Sequence, residues 1–410
     1  MRKKLIVIGG GASGIFCAIQ AAYHNEDLDV LVVEKQSQVL QKVKVSGGGR
    51  CNVTHACFKL SELIKRYPRG GAFLKKTFSQ FAPTDTIAWF KEHGVELKTE
   101  SDGRMFPITN SSQTIIDTLL KACSAHKIEI RVNTDIQRIQ SQGHAFVIHS
   151  RNGEVLQADY LFLACGGYPK KEQYHWITDM GHTIAHPIPS LFTFKIPDPK
   201  LCALMGLSVS QAIVRIVGSG LEYSGSLLIT HWGLSGPAVL KLSAYGALYL
   251  AENNYQVDIQ INWLGEKENS IRSRWAQLRE QCRGLSLKQK NPFAMPNRLW
   301  EYLISVAGID IATKWSELPS KEQNKLIHTL TTHTMKVNGK TTFKEEFVTC
   351  GGIHTHEIDP HTMQSNILQG IYIGGELMNV DGITGGYNFQ HAWTTGYIAG
   401  KAIAKQAEIN

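Results

Sequence analysis

The apolar residues near the start of the chain form two short runs, separated by a glycine cluster and a helical segment. The run Lys4–Ile8 is apolar and partly β-branched, as is typical of a buried parallel strand. A helical pattern follows over Ile15–Ala22, and a second apolar run, Val30–Val33, ends at Glu34. The pattern predicts a strand, a helix and a second strand, which is the opening unit of a Rossmann-type fold.

Two later apolar runs end in small residues and predict further strands of the same sheet. Tyr160–Leu163 leads into Ala164–Gly167, and Ile371–Ile373 leads into a Gly-Gly-Glu sequence. A second glycine pair, Gly385 and Gly386, precedes a helical pattern that we expect to end near Gly400. Glycine-rich sites at both ends of the chain predict that the two ends share one domain and that the middle is inserted into it.

The middle of the chain has two patterns. Apolar and polar residues alternate over 191–265, for example in Phe192–Ile196 and Gln256–Ile261, which predicts antiparallel strands. Ser235–Pro237 predicts a helix start with a capping serine, and 266–335 is mostly helical in pattern. The predicted domains are an α/β Rossmann-like domain (1–190 and 345–410), an antiparallel β-barrel (191–265 and about 336–344) and a small helical domain (266–335).

Composition and the absence of long apolar runs narrow the class of protein. Hydrophobic residues make up 43% of the 410 positions and charged residues 19%, which excludes wholesale disorder. No run reaches the roughly 18 apolar residues of a membrane span, and the first apolar run is too short for a signal peptide. The eight cysteines show no C-x-x-C pair and no zinc spacing. We therefore expect a cytoplasmic protein without a membrane partner.

Positive charge is concentrated in two parts of the chain. The net charge is +8, and residues 266–340 hold 13 basic and 7 acidic residues, a difference of +6. The stretch Lys35–Lys76 holds ten basic residues opposed only by Glu62. Such a distribution is typical of a solvated basic surface. It also suits a positive electrostatic field that attracts an anionic cofactor, an anionic substrate or RNA.

The first glycine cluster has the spacing of a dinucleotide-binding motif. Gly9 permits a tight turn, Gly11 lets the backbone approach a pyrophosphate, and Gly14 lets the helix pack on the strand. The helix N-terminus then faces the phosphates. Glu34, twenty residues after Gly14, is placed to accept the ribose hydroxyls, which favours FAD or NAD over NADP.

Two further segments favour FAD, whose length requires contacts from distant parts of the chain. Three consecutive glycines, Gly47–Gly49, precede Arg50 and Asn52 and suit a loop against a second phosphate or a flavin ring. The helix after Gly386 suits the negative charge of a reduced flavin ring. The candidate cofactor-binding residues are Gly9, Gly11, Ala12, Ser13, Gly14, Glu34, Lys35, Lys44, Ser46, Gly47, Gly48, Gly49, Arg50, Cys51, Asn52, Ile136, Cys165, Gly166, Gly167, Gly375, Glu376, Gly385, Gly386, Tyr387, Asn388 and Phe389.

A flavin enzyme also needs a group that orients the substrate and moves a proton. The catalytic candidates are Arg50, His231, His354 and Tyr387, with Tyr168 as a further proton donor. No metal site is expected, because the histidines and acids of 354–361 match no ligand spacing. A disulfide reductase acting through Cys51 and Cys57 is a rival interpretation, although the chain lacks a second G-x-G-x-x-G for a nicotinamide.

Five blocks of sequence are distinctive: Ser46–Asn52 (SGGGRCN), Gly103–Pro107, Thr230–Pro237 (THWGLSGP), Phe347–Ile353 and Gly385–Asn388. With them the chain resembles, nearly end to end, one family, the BaiN/aminoacetone-oxidase-like flavoproteins. It implies FAD, an FAD domain of the glutathione-reductase type, and an insertion made of a β-barrel and a helical piece. Activities proposed across the family include amine oxidation, steroid C=C redox chemistry and reduction of a uridine in ribosomal RNA.

The sequence departs from that family at one loop. Relatives carry a second glycine-rich part after the strand at 160–163, whereas Gly166–Trp176 has bulky polar residues there. The hypothesis is an FAD-dependent oxidoreductase that transfers a hydride between flavin and a small molecule at a C–N or C=C bond. The alternatives are an NADH- or NADPH-fed reductase of a uridine C=C bond in ribosomal RNA, and an FAD-binding factor without catalysis. Either NADH or NADPH binds transiently and reduces the flavin, or oxygen reoxidises it.

Overall fold

The computed structural model describes residues 2–143, 145–341 and 348–409. The chain divides into two compact units. The first, called unit 1, is Met1–Ser190 with Val348–Asn410, and the second, called unit 2, is Leu191–Phe347. The sequence-based boundaries near 336–344 and 345 fall partly on 342–347, which lie outside the described residues.

Unit 1 begins with strands that alternate with helices. Its strands up to residue 190 are β1 (Lys4–Ile8), β2 (Asp29–Val33), β3 (Thr54–His55), β4 (Leu97–Thr99), β5 (Arg104–Pro107), β6 (Glu129–Arg131), β7 (Ile136–Gln142), β8 (Ala145–Ser150), β9 (Val155–Ala158), β10 (Tyr160–Leu163) and β11 (Ile184–Ser190). Its helices up to that point are α1 (Ala12–His24), α2 (Gln41–Gly49), α3 (Leu60–Leu63), α4 (Gly71–Thr77), α5 (Pro83–Glu92), α6 (Ser112–Ala125) and α7 (His175–Thr178).

Unit 2 follows, and the chain then returns to unit 1. The strands of unit 2 are β12 (Thr193–Lys195), β13 (Ser208–Ile216), β14 (Glu222–Thr230), β15 (Gly233–Ser235), β16 (Gln256–Asn262), β17 (His333–Asn338) and β18 (Lys340–Thr341). Its helices are α8 (Pro199–Cys202), α9 (Pro237–Tyr245), α10 (Ala247–Glu252), α11 (Glu268–Gln281), α12 (Asn297–Val306) and α13 (Ser320–Thr332). The returning elements are β19 (Val348–Ile353), β20 (Ile371–Ile373) and α14 (Tyr387–Ile409).

A parallel sheet forms the centre of unit 1. Its strand order is β20-β10-β1-β2-β6, and each neighbouring pair is parallel. The middle strands are continuous apolar runs because both faces of the sheet are covered, and Leu5–Val7 are fully buried. The strands predicted at 4–8, 30–33, 160–163 and 371–373 are present in this sheet. Their carboxyl ends meet at one edge, where ligands bind in open α/β sheets.

Smaller antiparallel sheets complete unit 1. These are β3-β5-β4, β7-β8-β9 and the pair β11-β19. The pair joins the segment just before unit 2 to the segment just after it, with Ile184 opposite Ile353. Unit 2 is therefore inserted between two paired strands of unit 1.

Unit 2 combines one antiparallel sheet with helices around a shared core. The strand order is β17-β16-β13-β14-β15-β12-β18. The buried cluster includes strand residues such as Ile259 as well as Trp275, Trp300 and Trp315, and the rings of the last two stack with centroids 6.0 Å apart. The alternating region 191–265 is not strand throughout, because α8, α9 and α10 lie within it.

Two helix boundaries differ from the expectation. The N-cap of α9 is Gly236, which has φ of 91° and makes no side-chain cap, so Ser235 ends a strand instead of capping the helix. Helix α14 continues past Gly400 to Ile409. Glycine there acts as a packing surface rather than a stop signal, as the contacts of α14 show below. Among the helices described, none is long and apolar enough to cross a membrane.

Candidate functional site

The turn between β1 and α1 forms the first part of the candidate site. Gly11 is the N-cap of α1 and offers no side chain to the free amides of the first turn. A Cβ built on Gly14 would lie 1.9 Å from the Gly9 carbonyl oxygen, so the helix packs closely on the strand end. Beyond its chain neighbours, a Cβ on Gly11 would meet no atom of the described residues within 4 Å. Open space therefore adjoins the amides at the N-terminus of α1, which fits a pyrophosphate.

Glu34, which directly follows β2, holds this turn through hydrogen bonds. One carboxylate oxygen of Glu34 accepts the N–H of Gly10 at 2.8 Å, and the other accepts the N–H of Gln36 at 2.8 Å. A carboxylate oxygen has two acceptor lone pairs, so Glu34 retains acceptor capacity after these bonds. Glu34 thus shapes the glycine turn as well as lying where ribose hydroxyls are expected.

The ends of β10 and β20 lie beside the same turn. A Cβ on Gly9 would be 2.4 Å from the carbonyl oxygen of Ala164, and a Cβ on Gly375 would be 3.0 Å from Cβ of Ser13. Thr395 of α14 links two of these segments: its hydroxyl accepts the Gly375 N–H at 3.0 Å and lies 3.2 Å from the Ser13 hydroxyl. The three predicted glycine segments therefore converge, and Thr395 is a contributor that the glycine pattern could not reveal.

A buried histidine supports the end of β20 from α14. His391 Nε2 lies 3.2 Å from the carbonyl oxygen of Gly375, so this nitrogen carries the proton. Burial lowers the pKa of His391 to about 4, so the ring is neutral at neutral pH. The neighbouring Glu376 accepts the Thr349 N–H at 2.9 Å and pairs with Lys42. These contacts fix the Gly-Gly-Glu segment in place.

The SGGGRCN segment departs from helical geometry at the end of α2. Ser46 is extended, and Gly47 and Gly48 are left-handed with φ of 58° and 69°. Cys51 also has a positive φ, of 60°, and is fully buried. A Cβ on Gly48 would meet no atom within 4 Å, so the glycine turn borders open space.

Arg50, a catalytic and cofactor-binding candidate, is held by several groups. Its Nη1 donates to Glu100 at 2.6 Å, and its guanidinium carbon lies 4.0 Å from the Phe106 ring centroid. Arg104 donates to the same Glu100 carboxylate at 3.1 Å. The guanidinium is therefore oriented by the protein, and its side chain stays about one-third exposed, at 34%.

The glycine pair before α14 is anchored to the SGGGRCN segment. With its amide oxygen turned toward the pair, Asn52 accepts the Gly386 N–H at 2.9 Å. Asn388 closes the preceding turn, since it accepts the Gly382 N–H at 2.8 Å and donates to the Gly382 carbonyl at 2.9 Å. Asn52 and Asn388 thus hold the loop around Gly382–Gly386 in place. The sequence pattern did not distinguish this role from direct contact with the cofactor.

Tyr387 follows this loop and is packed against neighbouring side chains. Its ring stacks on His55 with centroids 4.7 Å apart, and its backbone carbonyl accepts the Tyr67 hydroxyl at 2.6 Å. The residue is 3% exposed. Close by, Asp381 is fully buried, pairs with Arg69, and accepts the Ser190 hydroxyl at 2.8 Å. Sequence reasoning missed Arg69, because no motif links it to Asp381.

The loop Gly166–Trp176, which departs from the family pattern, contacts Lys35 near the glycine turn through its side chains. Lys35 Nζ lies 5.1 Å from the Tyr168 ring centroid, and the Tyr174 hydroxyl accepts the Tyr168 N–H at 2.9 Å. Burial raises the pKa of the Cys165 thiol to about 11. The bulky residues of this loop thus pack on one another and on the residue after Glu34, and Gly166 borders open space.

The remaining cofactor candidates also lie in unit 1. Ile136 is buried at the start of β7, and Phe389 stacks on Trp393 with centroids 5.8 Å apart. The backbone carbonyl of Lys44 accepts the Ser112 hydroxyl at 2.8 Å. Gly167 packs on β19, since a Cβ there would be 2.5 Å from the Thr349 hydroxyl.

Of the two histidine candidates, His354 lies in the same unit as Arg50 and Tyr387, and His231 does not. His231 is exposed in unit 2, where its ring lies 3.9 Å from that of Trp232. His354 lies in unit 1, with its ring 5.4 Å from that of His356. No group of three or more possible ligands within 2–143, 145–341 and 348–409 could hold a metal ion.

A buried polar network occupies the region where the sequence showed a histidine-rich loop. Glu357 Oε2 lies 2.8 Å from His182 Nδ1, and His182 Nε2 lies 3.1 Å from the Ser365 hydroxyl. The Ser365 oxygen also accepts the N–H groups of Ile367 and Leu368 at 3.0 Å each. Glu357 is therefore a network carboxylate, and nothing in the spacing of 354–361 pointed to His182.

The two cysteines of the rival interpretation are free thiols. Burial raises the pKa of Cys51 to about 12 and also raises that of Cys57. A thiol needs a lowered pKa to act as a nucleophile near neutral pH. The surroundings of both thiols therefore oppose disulfide chemistry.

The chain is similar to known proteins over nearly its whole length. Residues 3–402 match the model described as the HI0933-like protein Rossmann domain. A 3-dehydro-bile acid delta(4,6)-reductase of Clostridium scindens is 28% identical over 98% of this chain and 100% of its own length. A ribosomal RNA dihydrouridine synthase of Escherichia coli is 29% identical over 97% of this chain and 96% of its own.

Among solved structures, two steroid dehydrogenases share the fold. The 3-ketosteroid delta1-dehydrogenase of Sterolibacterium denitrificans has a TM-score of 0.52 at 14% identity and covers 98% of this chain and 99% of its own. The 3-ketosteroid-delta4-(5alpha)-dehydrogenase of Rhodococcus jostii has a TM-score of 0.51 at 13% identity, with 98% and 97% covered.

The fold and site define a flavoprotein with a Rossmann-type FAD-binding domain. The chain belongs to the HI0933-like family of FAD-dependent Rossmann proteins, and the resemblance predicted from its sequence blocks is confirmed. It is an FAD-dependent oxidoreductase, as predicted.

Proposed function

We propose that the protein reduces a C=C bond conjugated to a carbonyl group in a small molecule. The observation that carries this proposal is the pair of end-to-end relatives, whose names denote a bile-acid delta(4,6)-reductase and a dihydrouridine synthase. Those names describe different substrates, but both reactions saturate a C=C bond next to a carbonyl. The bond type is therefore better supported than any one substrate.

The chain's residues supply binding and orientation. The amides at the N-terminus of α1 beside Gly11 would hold the FAD pyrophosphate, and the segments at Gly48 and Gly375 would border the rest of the cofactor. The bound flavin supplies the hydride. During reduction a hydride reaches the β-carbon of the substrate and a proton reaches its α-carbon, so the C=C bond becomes a single bond.

Four residues are proposed for orientation and proton transfer. Arg50, oriented by Glu100, suits the substrate carbonyl, because a fixed guanidinium stabilises developing negative charge on oxygen. His231, His354 and Tyr387 are the proposed proton donors. We further propose that unit 2 comprises a β-barrel and a helical piece that select the substrate. NADH or NADPH is the proposed electron donor, which binds transiently and reduces the flavin.

Uridine in ribosomal RNA is the second candidate substrate. The dihydrouridine synthase relatives from two bacteria and the +6 charge of 266–340 favour it. RNA would then be a partner as well as a substrate. The leading proposal does not require RNA.

Anaerobic stopped-flow kinetics test both candidates. The yellow holoprotein is mixed with NADH or NADPH while the flavin absorbance near 450 nm is followed, and the reduced protein is then mixed with a conjugated enone or with uridine-containing RNA. We expect bleaching by a nicotinamide and recovery with the enone. Recovery with RNA alone selects the second candidate, and recovery with neither overturns the proposal.

A further inference from the structure

Two side chains that follow different strands of the central sheet meet across the end of β1. Ile8, the last residue of β1, is opposite Val33 of β2 on one side and Leu163 of β10 on the other. Lys35 follows β2 and Tyr168 follows β10, yet Lys35 Nζ lies 5.1 Å from the centroid of the Tyr168 ring. Because neighbouring strands are about 4.8 Å apart, the two strand ends are separated by roughly 10 Å. The contact therefore spans the end of β1.

The end of β1 is also where the proposed FAD site begins, because the glycine turn starts at Gly9 directly after Ile8. The sheet extends through β2 and β6 on one side of β1 and through β10 and β20 on the other, so the strand order reverses at β1. Ligands of open α/β sheets bind in the crevice at such a reversal. A dinucleotide with its ribose at Glu34 would run along the same edge, from β2 toward β10, so the contact would cover part of it.

Tyr168 is the fixed partner of this contact. The hydroxyl of Tyr174, a fully buried residue, accepts the Tyr168 N–H at 2.9 Å, and the two rings meet edge to face with centroids 4.9 Å apart. Burial, together with the neighbouring Cys165 thiol, raises the pKa of the Tyr168 hydroxyl well above its usual value, so the ring stays neutral. A neutral aromatic ring attracts a cation through its π face. The loop therefore holds a ring in place for the Lys35 ammonium group.

Lys35 is the movable partner. Its side chain is exposed and forms no ion pair among the described residues. A cation–π attraction at an exposed site shifts an equilibrium by a factor of about 2–5, so it favours the closed arrangement and still lets it open readily. Beyond its chain neighbours, a Cβ on Gly166 would meet no atom of the described residues within 4 Å, so room remains at the base of the loop.

We propose that Lys35 and Tyr168 form a clasp over bound FAD, which controls how fast the cofactor enters and leaves its site. The closed contact retains FAD, and rotation of the Lys35 side chain away from the ring opens the crevice to solvent. A residue that only touches the cofactor slows its release, whereas a clasp slows entry and release together. This inference rests on the FAD site of the proposed function, but not on the reaction proposed there.

The test measures both rate constants on the full chain. Release is followed as the rise in flavin fluorescence after dilution of the FAD-loaded protein, and entry as the loss of fluorescence when the apoprotein is mixed with FAD. Lys35→Met removes the charge and keeps the length of the side chain, and Tyr168→Ala removes the ring. Lys171→Met makes the same change as Lys35→Met on an exposed residue of the loop Gly166–Trp176 and is the matched control.

We expect Lys35→Met to raise both rate constants by about 2–5-fold, and Tyr168→Ala by at least as much, while Lys171→Met behaves like wild type. Because the two substitutions break one contact, the double variant should behave like Tyr168→Ala alone. Near-ultraviolet circular dichroism checks that the variants fold, and the exposed position of Lys35 keeps the test decisive if Tyr168→Ala does not.

The clasp is overturned if Lys35→Met leaves both rates unchanged or speeds release alone. It is also overturned if the effects of the two substitutions simply add in the double variant. Failure of the cofactor site itself has a different signature, because the wild-type chain would then bind no FAD. Failure of the proposed reaction would leave all of these rates as expected.

Discussion

Individual glycines of this protein have opposite roles although they belong to one motif. Gly14 is required by protein packing, because a Cβ there would collide with the Gly9 carbonyl, whereas Gly11 adjoins open space. The first requirement concerns the folding of unit 1, whereas the open space at Gly11 is where we propose that the FAD pyrophosphate binds. The two roles can be separated by substitution.

Gly11→Trp should reduce FAD affinity by at least about tenfold, because the indole fills the space beside the α1 amides. The apoprotein should unfold at an unchanged denaturant concentration, since a Cβ on Gly11 would meet no atom of the described residues within 4 Å apart from those of its chain neighbours. The ratio of absorbance at 450 nm to that at 280 nm reports bound flavin. Gly14→Ala is the contrasting control, which should destabilise the fold itself. A Gly11→Trp protein that keeps a full flavin complement would contradict the assignment.

The His182–Glu357–Ser365 network gives unit 1 a pH-dependent stability. Hydrogen bonds from Thr183 and His182 hold the pKa of Glu357 below its usual value, against the opposing effect of burial. A lowered folded-state pKa stabilises the fold above the unfolded pKa of about 4.3, and the stabilisation is lost as the pH falls through the folded-state pKa. Glu357→Gln should therefore lower the unfolding free energy by roughly 1–3 kcal/mol at pH 7.

Urea unfolding of wild type and Glu357→Gln at pH 7 and at acidic pH measures this effect. The difference between the two proteins should shrink as the pH falls below about 4.3. Glu408→Gln, on an exposed residue near the end of α14, provides the matched control and should change little at any pH. A pH-independent difference would contradict the role given to the Glu357 charge.

The sequence predicted residues with one dominant local role better than residues that act through partners. The spacing of Gly9, Gly11 and Gly14 determines a turn, and the structure contains that turn. His182 pairs with Glu357, and Arg69 pairs with Asp381. The partners in each pair are far apart along the chain and meet only in the folded structure. Local pattern contains no information on such pairs.

At the scale of elements, the contact between α1 and α14 stabilises the cofactor turn. A Cβ on Gly396 would lie 2.6 Å from the Ser13 carbonyl oxygen, and one on Gly400 would lie 2.6 Å from that of Cys17. The two glycines are one turn apart on α14, so they form a smooth stripe against α1. The sequence pattern identified Gly400 as a helix end because it cannot distinguish a packing glycine from a terminating one.

Gly396→Ala and Gly400→Ala should each destabilise the protein by about 1–3 kcal/mol through overpacking. Helix propensity alone predicts the opposite sign, a gain of roughly 0.5–1 kcal/mol. Chemical denaturation monitored by circular dichroism measures the change. An increase in stability for both variants would show that α14 is not closely packed on α1.

At the scale of the whole molecule, we expect binding of FAD to be coupled to the folding of unit 1, since the proposed site draws on β1, β10 and β20 together. A ligand that binds only the folded state stabilises it by mass action. FAD at 100 times its dissociation constant should raise the unfolding free energy by about 2.7 kcal/mol. Titration of apoprotein with FAD in urea measures this shift, and Gly11→Trp should show a much smaller one at the same FAD concentration.

The strands of the central sheet and the glycine turns at their ends were predictable because their signals are local and repeated. The organisation of unit 2 was predictable only in outline, since helices α8, α9 and α10 are short and lie between strands. The shared tryptophan core of strands and helices depends on packing between distant segments, for which apolar spacing gives no partner.

The pairing of α1 with α14 also has a consequence for synthesis. Helix α1 ends at His24, and its partner begins at Tyr387, so a ribosome makes the first helix long before the second. At about 5–20 residues per second, that interval lasts on the order of 20–70 s. Throughout it the nascent chain lacks the strand β20 and the helix α14, which the proposed FAD site requires. The proposed site is therefore complete only after α14 has been made, and the face of α1 that packs on α14 has no partner helix until then.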